Sequence, residues 1–332
     1  MNRSRIKQIL FSSFLILQGV AALNGETFRV SKLHTVEITQ EPSFETTVRL
    51  GINESVAIFL PEDKTFLEGI ELKMEIPEAI ASWMDSVACS VYDNVKPRPS
   101  TSVIDYSATR QYVRTLPNKL SWILQIPLKE KNSLKASNYI TKMENIPNLD
   151  QNVVFVRLQP VMKGVPEETY KSIVPVTIRP VLANKGQLEL DLQSYDNNSL
   201  QNCSVYVDDA NIPYSASQNK VLLETGVHNV TIISEAYRTE VRTVRIDQAK
   251  KTVLTVEMKS IEPTLLITAP EGTVVTFDEE PCSMINKEFV ITEGEHKIRF
   301  SIGDYEIIRS ISAVKGKTYS ANFTLDLEIT EH

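Results

Sequence analysis

The residues best placed for chemistry come in matched pairs. His228 and His296 stand in Gly226-Val227-His228 and Gly294-Glu295-His296, each downstream of an acidic segment holding Asp208 or Asp278. A histidine kept in both copies can contact a ligand or act as a pH-sensitive surface point, because histidine titrates closest to neutrality. Asp208-Asp209 and Asp278-Glu279-Glu280 supply oxygens of the kind a hard cation such as Ca²⁺ takes. No D-x-D-x-D-G loop frames them, and Asp is also an ordinary turn residue. Tyr237 and Tyr305 complete each set. A group that recurs with a folding unit serves the fold more readily than a unique site does. Asp208, Gly226, His228, Tyr237, Asp278, Gly294, His296 and Tyr305 are therefore expected to be fold determinants. Each imidazole would tie down a turn, and each tyrosine would cover a small core and hydrogen-bond through its hydroxyl.

Other chemistry finds little support. The chain has four histidines, His332 being its last residue, and neither Gly-x-Ser-x-Gly nor His-Glu-x-x-His occurs. No Gly-rich phosphate loop is present. The three cysteines, Cys89, Cys203 and Cys282, form no Cys-x-x-Cys, and they read as small buried or idle thiols. No cofactor and no metal are expected. Trp83 and Trp122 could form a sugar-stacking platform, and paired carboxylates for glycan hydrolysis need not be neighbours in sequence.

The elements that must position these residues read as strands. The opening is set aside first. Arg3, Arg5 and Lys7 precede the apolar run Ile9–Leu17, and Val20-Ala21-Ala22 places small residues where a signal peptidase cuts. Residues 1–22 are expected to be a secretory signal cleaved after Ala22, too short for a permanent anchor. Cleavage removes three positive charges from a net charge of −7 and leaves −10. An acidic chain without clustered Lys and Arg is a poor nucleic-acid ligand. No later stretch is apolar and long enough to span a membrane.

Residues 26–185 contain period-two runs such as Ile70, Leu72, Met74 and Ile76 alternating with charged residues. Ser55–Leu60, Arg110–Arg114, Ser121–Ile126, Val153–Leu158 and Val174–Ile178 are further strand candidates. Pro61, Pro77, Pro127, Pro160 and Pro180 are expected to end them. Short helical turns are possible at Glu78–Ser86 and Glu167–Lys171. About ten strands with short loops predict a β-sandwich. After Asn184-Lys185-Gly186 the text repeats with a nearly fixed period: the acidic segments, the Gly-x-His pairs and the tyrosines each recur some 70 residues on. This predicts two small sandwiches of about seven strands, at 187–260 and 263–328, with a join too short for free reorientation.

Pro270-Glu271-Gly272-Thr273, then Val275, Phe277 and Asp278 on alternate faces, then Gly294-Glu295-His296 and Tyr305, resemble the PEGA domain family. The first copy matches more loosely, through Val205, Val207, Asp208, Gly226, His228 and Tyr237. The family's hairpin has Gly after the Asp, whereas Asp209 and Glu279 stand here. A different turn type is therefore expected, since neither tolerates positive φ well. The resemblance implies small β-sandwiches in exported bacterial envelope proteins, with no catalytic residues to carry over.

The expected whole is all-β: an N-terminal β-sandwich followed by two small tandem PEGA-like sandwich modules. It is expected to be periplasmic or extracellular and non-enzymatic, and to act in structure or protein binding with the modules as spacer or docking surface. Its partner would be an envelope protein or cell-wall glycan. The alternative is a carbohydrate-binding protein, or an accessory subunit of a glycan-acting enzyme, using Trp83 and Trp122.

Overall fold

The computed structural model describes residues 25–194, 203–215 and 217–325, and they are almost entirely β. The expected signal sequence and its cleavage point at Ala22 lie outside the described residues, as does most of the Asn/Ser-rich segment after Ser194. The chain divides into two compact units, one ending at Leu182 and the other beginning at Ala183.

The first unit contains β1 (Glu26–Arg29), β2 (Lys32–Glu37), β3 (Thr46–Gly51), β4 (Glu54–Phe59), β5 (Leu67–Glu75), β6 (Val87–Lys96), β7 (Asp105–Thr115), β8 (Ser121–Pro127), β9 (Ile140–Lys142), β10 (Val153–Pro160) and β11 (Ile173–Leu182). Two helical turns, α1 (Glu78–Ala81) and α2 (Glu167–Lys171), interrupt them. A six-stranded sheet, β1-β7-β6-β10-β4-β2, packs on a five-stranded sheet, β3-β11-β5-β8-β9. Alternation fixes what faces inward. Ile70, Leu72 and Met74 of β5 lie opposite Ile126, Leu124 and Trp122 of β8, and Ile178 and Val176 of β11 continue the last two rows. Facing them, Val56, Val156 and Val91 form one row across β4, β10 and β6. All of these are buried, and each such side chain contributes roughly 1.5–3 kcal/mol relative to exposure.

The six-stranded sheet also has a covered outer face. Phe28 of β1 lies 4.8 Å from Tyr92 and 5.8 Å from Phe155, and Tyr106 lies 5.3 Å from Phe155. This second core explains why β6 is buried along most of its length rather than alternately.

Pro180 does not end its strand. β11 runs through both Pro175 and Pro180 to Leu182. Pro175 pairs with Arg49 of β3 before pairing with β5 begins at Val176. Pro180 pairs with Ile70 of β5 after pairing with β3 has stopped at Ile178. Each proline sits where β11 has one neighbour, so its missing N–H falls on the open side.

The second unit holds the repeat. Its first module has β12 (Lys185–Ser194), β13 (Cys203–Val207), β14 (Ala210–Ile212), β15 (Lys220–Glu224), β16 (Gly226–Ser234), β17 (Glu240–Ile246) and β18 (Lys251–Met258). Its second has β19 (Thr264–Thr268), β20 (Val274–Phe277), β21 (Glu280–Pro281), β22 (Glu288–Val290), β23 (Gly294–Ile302), β24 (Tyr305–Ala313) and β25 (Thr318–Asn322). Sheets β15-β12-β18 and β14-β13-β16-β17 recur strand for strand as β22-β19-β25 and β21-β20-β23-β24. In both, the first strand pairs in parallel with the last. Leu188, Leu190, Val205, Val230, Ile232 and Met258 form the first core. Leu265, Ile267, Val275, Ile298 and Phe300 form the second.

Candidate functional site

The paired histidines and aspartates meet in both modules, in the same geometry. Asp208 and Asp209 are the two residues of the β13–β14 hairpin, since Val207 pairs with Ala210. Asp278 and Glu279 occupy the β20–β21 hairpin between Phe277 and Glu280. All four have positive φ: 47° and 66° in the first hairpin, 48° and 72° in the second. This is the type I′ pattern, whose twist matches that of the flanking strands. The expected change of turn type is thus corrected. The hairpin geometry overrides residue preference, and Asp209 and Glu279 are carried in the left-handed region where Gly would sit without strain.

Both carboxylate oxygens of the first Asp of each turn are engaged. Asp208 Oδ1 accepts the Asn229 N–H at 2.9 Å, and Oδ2 lies 2.6 Å from His228 Nδ1. His228 Nε2 lies 2.8 Å from the carbonyl oxygen of Glu224. In the second module, Asp278 Oδ1 accepts the Lys297 N–H at 2.8 Å and Oδ2 lies 2.6 Å from His296 Nδ1. His296 Nε2 lies 2.7 Å from the Thr292 carbonyl oxygen. A carbonyl oxygen only accepts, and so does an ionised carboxylate, so the set is completed when both ring nitrogens donate, which favours the imidazolium form. Each clip joins a hairpin turn, the strand that carries the histidine (β16 or β23) and the segment that leads into that strand.

The titration shifts agree with this geometry. Burial lowers both histidine pKa values, but for His228 the Asp208 carboxylate and Glu224 carbonyl outweigh it and the net shift is upward. For His296 the Asp278 carboxylate and Thr292 carbonyl do the same. Asp208 is held below the usual carboxylate range by the Asn229 N–H and then His228. Burial raises Asp278, but His296 and the Lys297 N–H bring it below that range. His296 also stacks on Phe277 at 4.9 Å, a cover that His228 lacks because Val207 is the last residue of β13.

Gly226 and Gly294 open the strands that carry the histidines, with φ of 143° and 132°. No atom lies within 4 Å of where a Cβ would stand, so backbone conformation rather than space calls for glycine there. The tyrosines part company. Tyr237 is 8% exposed and belongs to the first core. Tyr305 is 66% exposed, which corrects the expectation that it covers the second core. Gly303 and Asp304 form a two-residue turn, with Ile302 paired to Tyr305, and this fixes Tyr305 on the open hairpin. In the first module the ladder stops at Ile232 and Glu240, and the longer connection lets Tyr237 bridge to Ser260.

The tryptophans do not form a platform. Trp122 is 5% exposed, in the row with Met74, and its indole N–H donates to Thr141 Oγ1 at 2.9 Å. It is a core residue, and its expected glycan contact is corrected. Trp83 is 42% exposed on the turn after α1. His34 of the first unit reaches Glu54 at 2.9 Å. Burial pushes the Cys89 thiol up to about 12, and all three cysteines are free. Among the described residues, no group of three or more His, Cys, Asp or Glu side chains could hold a metal.

One residue carries no signal in the sequence. Arg238 of the first module donates to the carbonyls of Ser260, Glu262 and Lys317 and to Thr318 Oγ1. The Gly316 N–H donates to the Ile261 carbonyl, and the Ile261 N–H to that of Ala236. The join between modules is therefore a hydrogen-bonded seam around one guanidinium. It adjoins a cavity of about 340 Å³ lined in part by Glu257, Lys259, Glu288 and Phe289.

No family model matches the chain, and no curated protein matches its sequence at a significant level. Among solved structures, it is similar to the Bacillus anthracis TIE protein at 9% identity and a TM-score of 0.25, covering 86% of this chain and 58% of that one. It is also similar to a streptococcal ancillary pilin, at 6% identity and a TM-score of 0.22, over 81% of this chain and 98% of that one. The pilus adhesin SpaC from Lactobacillus rhamnosus GG gives 8% identity and a TM-score of 0.20, over 88% of this chain and 38% of that one. Scores this low fall short of a shared topology.

Proposed function

We propose that this chain is an exported, non-enzymatic protein of the cell envelope, with a structural or protein-binding role. The two PEGA-like modules serve as spacer or docking surface, and the N-terminal sandwich carries the specific interaction. The observation that supports this reading is how the convergent polar groups are used. In each module both imidazole nitrogens and both carboxylate oxygens are hydrogen-bonded within the clip, and the part-buried Arg238 guanidinium secures the join. These groups build and couple modules rather than present a reacting centre.

Fractionation and cross-linking of the producing cells test the reading. The expected outcome is a mature protein beginning at Leu23, outside the cytoplasm, cross-linked to one stoichiometric protein partner. A full-length cytoplasmic protein, or one recovered with glycan alone, would overturn it. The carbohydrate alternative has lost Trp122 to the core and keeps only Trp83 as an exposed ring.

A further inference from the structure

One end of the N-terminal sandwich exposes six large apolar side chains. Trp83, Met84, Val161, Met162, Tyr170 and Ile173 are each between 39% and 58% exposed. They come from four chain segments: the turn after α1, the loop after β10, α2 and the start of β11. Hydrogen bonds hold these segments together. The Val161 N–H donates to the Ser86 carbonyl at 2.9 Å. Thr169 Oγ1 donates to the Ala79 carbonyl at 3.0 Å, and the Tyr170 hydroxyl to that of Met162 at 3.2 Å. Asp85, at φ 61°, shapes the Trp83-Met84 turn and accepts from Thr115 Oγ1 at 2.6 Å. The side chains are thus presented on a fixed frame, which lowers the ordering cost of binding.

We propose that this end is a docking surface for a protein segment with an apolar centre and basic flanks. It rests on the protein-binding reading above and names the surface that would carry it. Six side chains at these exposures leave on the order of 500 Å² of apolar surface, at the upper end for a free monomer. A standard interface buries about 800 Å² per partner, so the patch suffices for its centre. Trp, Tyr and Met are the types enriched in such centres. The rim decides the occupant. Exposed Glu78, Asp85, Glu167 and Glu168 outnumber Lys163 and Lys171, and Lys171 is already bridged to Glu167 at 2.7 Å. An acidic rim on a chain of net charge −7 disfavours a second copy, and equally an anionic lipid surface. It steers a basic partner toward the patch.

The test is site-specific photo-cross-linking in the full-length chain, in cells that make it. A cross-linking residue replaces Met84 or, as control, Ile104, which is 43% exposed just before β7. The expected result is one discrete protein adduct from position 84 and none from 104, its attached segment carrying Lys or Arg beside apolar residues. Glu167→Lys with Glu168→Lys should cut the yield at least ten-fold, whereas Lys163→Glu should raise it. Opposite responses to two surface changes exclude misfolding as the cause. An adduct to another copy, to lipid or to glycan would overturn the proposal, as would equal yields at 84 and 104 or insensitivity to charge reversal. A partner recovered by whole-surface cross-linking without an adduct at 84 sinks this surface and spares the proposed function. No protein partner by either route sinks both.

Discussion

At the scale of single residues, the clips make stability depend on pH in a defined direction. His228 and His296 have folded pKa values above the ordinary ~6.5. Their contribution is fully present below that value and is lost as pH rises through the folded pKa of each ring. Asp208 and Asp278 are depressed, so their contribution is present above the ordinary ~3.9 and is lost as pH falls through the folded values. The second unit should be most resistant to urea between about pH 4 and 6.5. Replacing both rings, His228→Gln with His296→Gln, should flatten the loss on the alkaline side. Urea midpoints of the full chain and the double variant across pH check this; an unchanged alkaline slope would remove the histidines from the account. The turns give a second expectation. Asp209→Gly and Glu279→Gly relieve a left-handed non-glycine residue and should each stabilise by about 0.5–1 kcal/mol, the gain being trimmed by the freer unfolded chain. Equilibrium unfolding with an unchanged m-value would measure it. Part of this was legible. The recurrence of His with the fold marked each imidazole as tying down a turn; that Asp208 and Asp278 are its partners is decided by strands that meet in space. The exposure of Tyr305 was not legible, because it depends on a connection length that spacing alone conceals.

At the scale of elements, the edge strands of the modules are guarded. Arg242 of β17 lies opposite buried Val230, and Arg309 of β24 opposite buried Ile298. Paired residues share a sheet face, so both arginines stand on the core-facing side of an edge strand. Each turns its guanidinium back to an edge carbonyl, that of Val241 or Ile308. A charge so placed discourages another strand from pairing. Arg242→Val with Arg309→Val should produce concentration-dependent self-association, read as a rise in sedimentation coefficient while the circular dichroism stays β. A strictly monomeric double variant would mean that the edges are protected otherwise. Strand existence was readable from alternation in β5, but the extent of β11 was not. Whether proline stops a strand depends on how many neighbours that strand has, and these come from distant sequence.

At the scale of the whole molecule, the seam around Arg238 couples two modules that each have a small core. Arg238→Ala removes donors to four acceptors, some from each module. Hydrogen bonds from a charged group are worth about 1.5–3 kcal/mol each when desolvated and less here, where the site is partly open. The expected outcome is faster hydrogen exchange at Ile261, Thr264 and Gly316, with the module cores still protected; unaltered exchange at the seam would show that Arg238 does not couple them. The sequence by itself determined what is local or repeated. Period-two alternation makes the chain all-β, and a fixed-period recurrence requires two copies of one unit. Tertiary structure decided what depends on meeting distant strands. It buried Trp122 against Met74 and left Trp83 exposed, since burial depends on which strand lies opposite. It built a second cluster on the six-stranded sheet, where Phe28 of the edge strand β1 meets Tyr92 and Phe155. It also held Asp209 and Glu279 at positive φ, because the twist of paired strands outweighs the preference of one side chain.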